Sequence, residues 1–148
     1  MRVFQLDSYV LLLSGKDSLQ FLDGLSTNKV EGTCTTVFTK QNAKIIDMVE
    51  VICVGDNVAI VGHNSFKQNL VGHLNSRILQ QDVLIRDISE FNNVFISFDQ
   101  YPDTENVTAV KTFRGWILVA PKSISIESTM SDVEFNEHRI QNILPHQE

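Results

Sequence analysis

The sequence is poor in the residues that staple a chain, anchor it in a membrane or attach it to a polyanion. Only two of its 148 residues are cysteine, Cys34 and Cys53. Two are too few for a disulfide framework, so free, reduced thiols of the cytosolic kind are expected. Pairing the apolar runs on either side of residues 41–43 puts Cys34 opposite roughly Glu50, several residues out of register with Cys53. Basic residues are also scarce, 12 Lys and Arg against 18 Asp and Glu, for a formal net charge of -6. Phosphate binding needs clustered cations, and these are scattered, which argues against a nucleic-acid partner. No apolar run reaches the ~20 residues of a membrane span. The N-terminal VFQLDSYVLLLSG is interrupted by Gln5 and Asp7, and no small-residue cleavage site follows it. No membrane partner and a cytoplasmic location are therefore expected.

Chemical motifs are sparse too. His63, His73, His138 and His146 show no metal-ligand spacing and read as surface histidines. Ser14, Ser65 and Ser125 lie in no GxSxG setting, which leaves a hydrolase without support. Gly15, Gly24, Gly32 and Gly55 read as turn glycines and not as a phosphate loop.

What is present is an ordinary globular composition, 43% hydrophobic and 20% charged. A chain of this length buries roughly 68–70% of the surface its unfolded form exposes, enough for one domain or two small interwoven subdomains. Residues 2–13 read as two short strands with a turn at Asp7-Ser8. Asp17 and Gln20 have capping-box spacing at the start of a helix whose apolar face is Leu19, Leu22 and Leu25. The β-branched run 33–40 and the apolar run 44–54 form a hairpin, and Gly55-Asp56 turns into a third strand at 57–61. Ser65 and Gln68 again have box spacing, before a helix with Phe66, Leu70, Leu74 and Ile78 on one face. Strands are expected at 82–87, 93–98, 107–112, 115–120 and 123–127, and a last helix opens at Ser131, Asp132 and Glu134 and closes before Pro145. The class is α+β, an antiparallel sheet with a helix packed on one face. Residues 99–106 read as the junction between subdomains.

One stretch points further. In Gly15–Asp47, GKDSLQFLDGLSTNKVEGTCTTVFTKQNAKIID, a charged helix start leads into FLDGLSTNKV, then a strand, a turn with a small residue and a second apolar strand. This pattern resembles the glycine-cleavage T-protein (aminomethyltransferase) superfamily, with its nearest likeness in the folate-binding YgfZ-type branch. The likeness runs on loosely to EHRIQNILP. It implies a partial T-protein-like folate-binding fold, with subdomain 1–32 plus 107–148 around an inserted 33–98. The family's C-terminal barrel and KGC(Y/F)xGQE segment have no counterpart, so a C-terminally shortened relative is expected.

The resemblance also implies a site. The family's catalytic acid is the second Asp of a GG(I/V)(L/I)DD(L/F) pattern, and aligning Ala43–Val49 without gaps puts Asp47 at the first Asp and Met48 at the second. Adjacent strand residues face opposite sides, so Asp47 does not fill the position of Met48. Glu50 shares the Met48 face about 6.6 Å along. The plain reading makes Asp47 and Glu50 strand-edge or solvent-facing acids. Asn64 takes a pterin-binding position or caps the following helix. Trp116 is a core residue or a cavity wall, and Arg139 a partner for the folate tail or a surface arginine. Tetrahydrofolate or a related folate is the implied cofactor. The implied function is a non-catalytic folate-binding protein, an accessory factor in iron-sulfur protein maintenance. Its rivals are a ligand-free module that covers the missing-domain surface as a homodimer or with a protein partner, and a working aminomethyltransferase using Glu50.

Overall fold

The structure, a computed structural model, describes residues 2–39 and 45–141. The turn expected at 41–43 and the helix end expected before Pro145 lie outside those residues. The class is α+β, with two antiparallel sheets instead of one and few helices. The chain forms two compact units, Ser8–Ser89 and Met1–Asp7 with Glu90–Glu148.

The Ser8–Ser89 unit holds β2 (Ser8–Ser14), α1 (Ser18–Leu25), β3 (Cys34–Thr39), β4 (Ile45–Val54), β5 (Asn57–His63), α2 (Lys67–Arg77) and β6 (Leu84–Asp87). Its sheet runs β3-β4-β5-β2-β6. The β3-β4-β5 meander follows from the hairpin signals. The placing of β2 between β5 and β6 depends on long-range pairing, Leu11 lying opposite both Ile60 and Asp87. Because β2 is tied to this sheet, the unit begins at Ser8, and α1 and β2 do not group with the C-terminal half as a 1–32 subdomain would require. Alternation gives the sheet one apolar face on which Tyr9, Leu11, Leu13, Val49, Val51, Val58 and Ile60 pack with Phe21 and Leu22 of α1 and Leu70 and Leu74 of α2. Each such buried side chain stabilises the unit by about 1.5–3 kcal/mol.

Both expected capping boxes in this unit are corrected. The Asp17 carboxylate makes no cap hydrogen bond and instead accepts from the Asp82 amide at 2.8 Å, tying the start of α1 to the chain before β6. Gly15 (φ +115°) makes that approach possible, since a Cβ there would run into the Asp82 carbonyl. Before α2 a 3-10 turn, Asn64–Phe66, intervenes, and His63 Nδ1 accepts from the Ser65 amide at 3.2 Å.

The other unit holds β1 (Val3–Leu6), β7 (Asn92–Ser97), β8 (Thr108–Thr112), β9 (Gly115–Pro121) and α3 (Asp132–Gln141), with sheet order β1-β7-β9-β8. The strand expected at 123–127 does not form. Pro121 ends β9, the Ile124 amide turns back to its carbonyl at 2.9 Å, and the chain passes beside β1, where the Thr129 and Met130 amides both donate to the Val3 carbonyl. The box before α3 does form. The Glu134 amide donates to Ser131 Oγ and the Ser131 amide to Glu134 Oε1, both at 3.2 Å. Phe135 then anchors α3, stacking on Phe4 with ring centroids 4.3 Å apart.

Candidate functional site

The two faces of β4 carry different chemistry. Asp47, Val49 and Val51 share the helix-covered face, and Met48, Glu50 and Ile52 share the opposite one. Neither acid is solvent-facing as the plain reading expected: Asp47 and Glu50 are each 2% exposed.

On the helix-covered face the Tyr9 hydroxyl donates to Asp47 Oδ2 at 2.6 Å. Tyr9 sits on β2 and Asp47 on β4, so the bond spans the intervening β5 over Gly62, the residue paired with Tyr9. A Cβ on Gly62 would collide with the Tyr9 hydroxyl and the Asp47 carboxylate, so glycine is what admits the pair. Burial, and then the charge and hydrogen bond of Asp47, push the Tyr9 phenol far up from its ordinary value. Asp47 is therefore occupied as a buried acceptor in the core.

On the other face the Thr35 hydroxyl, directly across from Glu50, donates to Glu50 Oε2 at 2.6 Å. Val61 and Val10, both buried, continue that row across the sheet. One row along, Val37 pairs with Met48, and continuing the β4–β5 register puts His63 level with Met48, with Ser8 beyond it. Val37, Met48, His63 and Ser8 are all half-buried. The face thus runs from a buried carboxylate to a partly open edge of apolar and imidazole groups. Its polar group is a carboxylate acceptor beside a thioether and apolar side chains, a combination that suits a flat ring with N–H donors and a hydrophobic body.

The polar Ser26-Thr27-Asn28 exit of α1 supports this row from outside. Ser26 bridges to Phe38 and the Thr27 amide donates to the Val37 carbonyl at 3.1 Å, so the segment covers the free edge of β3. Asn28 accepts from the buried Thr36 hydroxyl through Oδ1, and its Nδ2 donates to the Thr35 carbonyl at 3.5 Å.

The remaining sequence candidates lie on other elements. Asn64 is exposed and starts the 3-10 turn whose cap is His63, so it does not cap the helix. Trp116, opposite Ser97 and Lys111, is half-buried and packs against the cluster of Val3, Phe95 and Leu118 in the other unit. Arg139 lies on α3 of that same unit, and its side chain is outside the described residues. Of the six candidates, Met48 and Glu50 share one face. Sequence reasoning missed Thr35, His63, Tyr9 and Gly62. The available signal for Thr35 was the hairpin register, which runs one residue off the expected one: Cys34 opposes Val51, and Thr35 opposes Glu50. Among the described residues no group of three or more His, Cys, Asp or Glu is gathered to hold a metal, and no helix is long and apolar enough to cross a membrane.

No family model matches the chain, and no curated protein matches it in sequence. Among solved structures its fold is similar to that of the glycine cleavage system aminomethyltransferase T from Bartonella henselae, with a TM-score of 0.62 and 9% identity. The match covers 80% of this chain and 41% of that one, so the chain spans about two fifths of the length of the protein it resembles. At that identity the likeness is one of fold, and the fold is T-protein-like.

Proposed function

We propose that the chain is a non-catalytic, tetrahydrofolate-binding relative of the aminomethyltransferases, with the Met48 and Glu50 face of β4 as its ligand face. The observation that carries this reading is Glu50, a carboxylate buried in a T-protein-like sheet, held by Thr35 and next in line to half-open Met48. A polar side chain taken out of water is stabilised by hydrogen bonds. Thr35 donates to it, and the paired N–H groups of a pterin edge have the planar geometry a carboxylate accepts best. Met48 contributes an apolar, polarisable contact and no group that takes up or releases a proton, in keeping with binding without group transfer. The accessory role in iron-sulfur protein maintenance is supported by the family resemblance alone. Calorimetric titration with tetrahydrofolate tests the reading. Saturable micromolar binding to the wild-type protein, lost in Glu50→Gln, supports it, and no binding overturns it.

A second reading is an interaction module without a ligand. It is favoured by β6, an edge strand with Leu84 60% exposed and Leu79 83% exposed just before it. A bare edge with apolar side chains is a template for strand pairing between chains. Light scattering on the eluted protein separates the two: a dimer that dissociates on Leu84→Lys supports the module, and a clean monomer removes it.

A further inference from the structure

The two cysteines stand closer in the fold than their expected register. Cys34 opens β3 and pairs with Val51, so Cys53 is two residues along β4 on the same face, the diagonal neighbour of Cys34. Both thiols are free; Cys34 is half-buried at the rim of the apolar core, and Cys53 is exposed. The chain just before Cys34 already reaches Cys53, whose amide donates to Thr33 Oγ1 at 3.0 Å. The next residue after Cys34 is Thr35, the donor to Glu50. Diagonal neighbours in an antiparallel pair are about 7–8 Å apart, slightly beyond the ~4.4–6.8 Å usual between disulfide-linked Cα atoms. Closure therefore needs the start of β3 to slide towards Cys53, and Thr35 moves with it.

We propose that Cys34 and Cys53 form a peroxide-responsive thiol pair whose closure into a disulfide displaces the start of β3 and loosens the hold of Thr35 on Glu50. The link to ligand affinity rests on the folate-binding reading; the thiol pair itself does not. The exposed Cys53 meets the oxidant first. Its thiolate sulfur attacks one hydroperoxide oxygen, an S–O bond forms as the O–O bond breaks, and the departing hydroxide takes up a proton to leave as water. Cys34 then attacks the Cys53 sulfenic sulfur, the S–S bond forms as the S–O bond breaks, and the second hydroxide leaves as water with the Cys34 proton. In total the two thiols lose two electrons and two protons, and one peroxide becomes two waters. Burial, and then the nearby Glu50 carboxylate and Cys53, push the Cys34 thiol up, which suits it to the second, resolving step and not to the first. A small-molecule dithiol restores the reduced pair.

The test is treatment of the purified protein with a small excess of hydrogen peroxide, followed by intact-mass measurement, thiol counting and, after the peroxide is removed, titration with tetrahydrofolate. The expected result is an intramolecular disulfide with both thiols lost, reversal by dithiothreitol, and ligand binding at least tenfold weaker in the oxidised form. Cys53→Ser should leave Cys34 a free thiol under the same treatment. Overoxidation of Cys53 with Cys34 still free, or disulfides only between chains, overturns the pair. A disulfide that leaves the affinity unchanged overturns its coupling to Glu50. A reversible disulfide in a protein that binds tetrahydrofolate in neither form supports the thiol pair and overturns the ligand reading.

Discussion

The two carboxylates of β4 stand three residues apart on opposite faces of one strand, equally buried and differently used. Asp47 is closed in by the core: Tyr9 reaches it across the sheet, and Gly62 keeps the space between them. Glu50 accepts a hydrogen bond from a threonine on the neighbouring strand and lies beside half-open residues. Burial alone does not distinguish a structural acid from a binding one. What separates them here is the surroundings: Asp47 is bonded across the sheet inside the core, and Glu50 is bonded to the adjacent strand next to a half-buried row.

The difference can be broken from the core side first. Gly62→Ala pushes a methyl group into the Tyr9–Asp47 contact and is expected to lower stability by about 3 kcal/mol, at the upper end of overpacking costs, as read by urea denaturation. Tyr9→Phe leaves a buried Asp47 oxygen without its phenolic donor and is expected to cost about 2 kcal/mol. That variant also carries a pH signature. The phenol's folded value lies above its ordinary 10.0, so the native state holds this proton longer than the unfolded chain does. Its contribution is fully present below about pH 10 and declines as pH rises above that value. The wild-type protein should lose stability over that alkaline range more steeply than Tyr9→Phe, and parallel curves would contradict the assignment. On the other face Thr35→Val removes one hydrogen bond to a carboxylate and is expected to cost about 1.5 kcal/mol, and the proposed ligand reading adds a more than tenfold weaker affinity for tetrahydrofolate. Met48→Leu conserves volume and should cost below about 1.5 kcal/mol, the smallest change of the set.

Much of the fold was legible in local patterns. The β3-β4-β5 meander followed from β-branched runs and the Gly55-Asp56 turn, the apolar repeat of Leu70 and Leu74 marked α2, and Ser131 with Glu134 marked the start of α3. Long-range pairing was not legible. Nothing in the sequence near Tyr9 says that β2 enters between β5 and β6, so neither the division of the chain at Ser8 nor the Tyr9–Asp47 bond could be read. Polar residues with two uses were misassigned for a related reason. Asp17 has the spacing of a cap but is drawn to the Asp82 amide, and His63 takes the cap that Asn64 or Ser65 was expected to supply. The parity of Met48 and Glu50 was readable because alternation along a strand is a local rule. The partner of Glu50 was missed by one residue of register, in a hairpin whose turn lies outside the described residues and whose ladder shifts between Phe38 and Thr39.

The most direct test of the Glu50 face is paired calorimetry of tetrahydrofolate with wild-type protein and Glu50→Gln, the latter retaining an oxygen acceptor for Thr35. Saturable micromolar binding to the wild type that weakens at least tenfold in the variant is the predicted result. Equal binding by both proteins, or by neither, would contradict it.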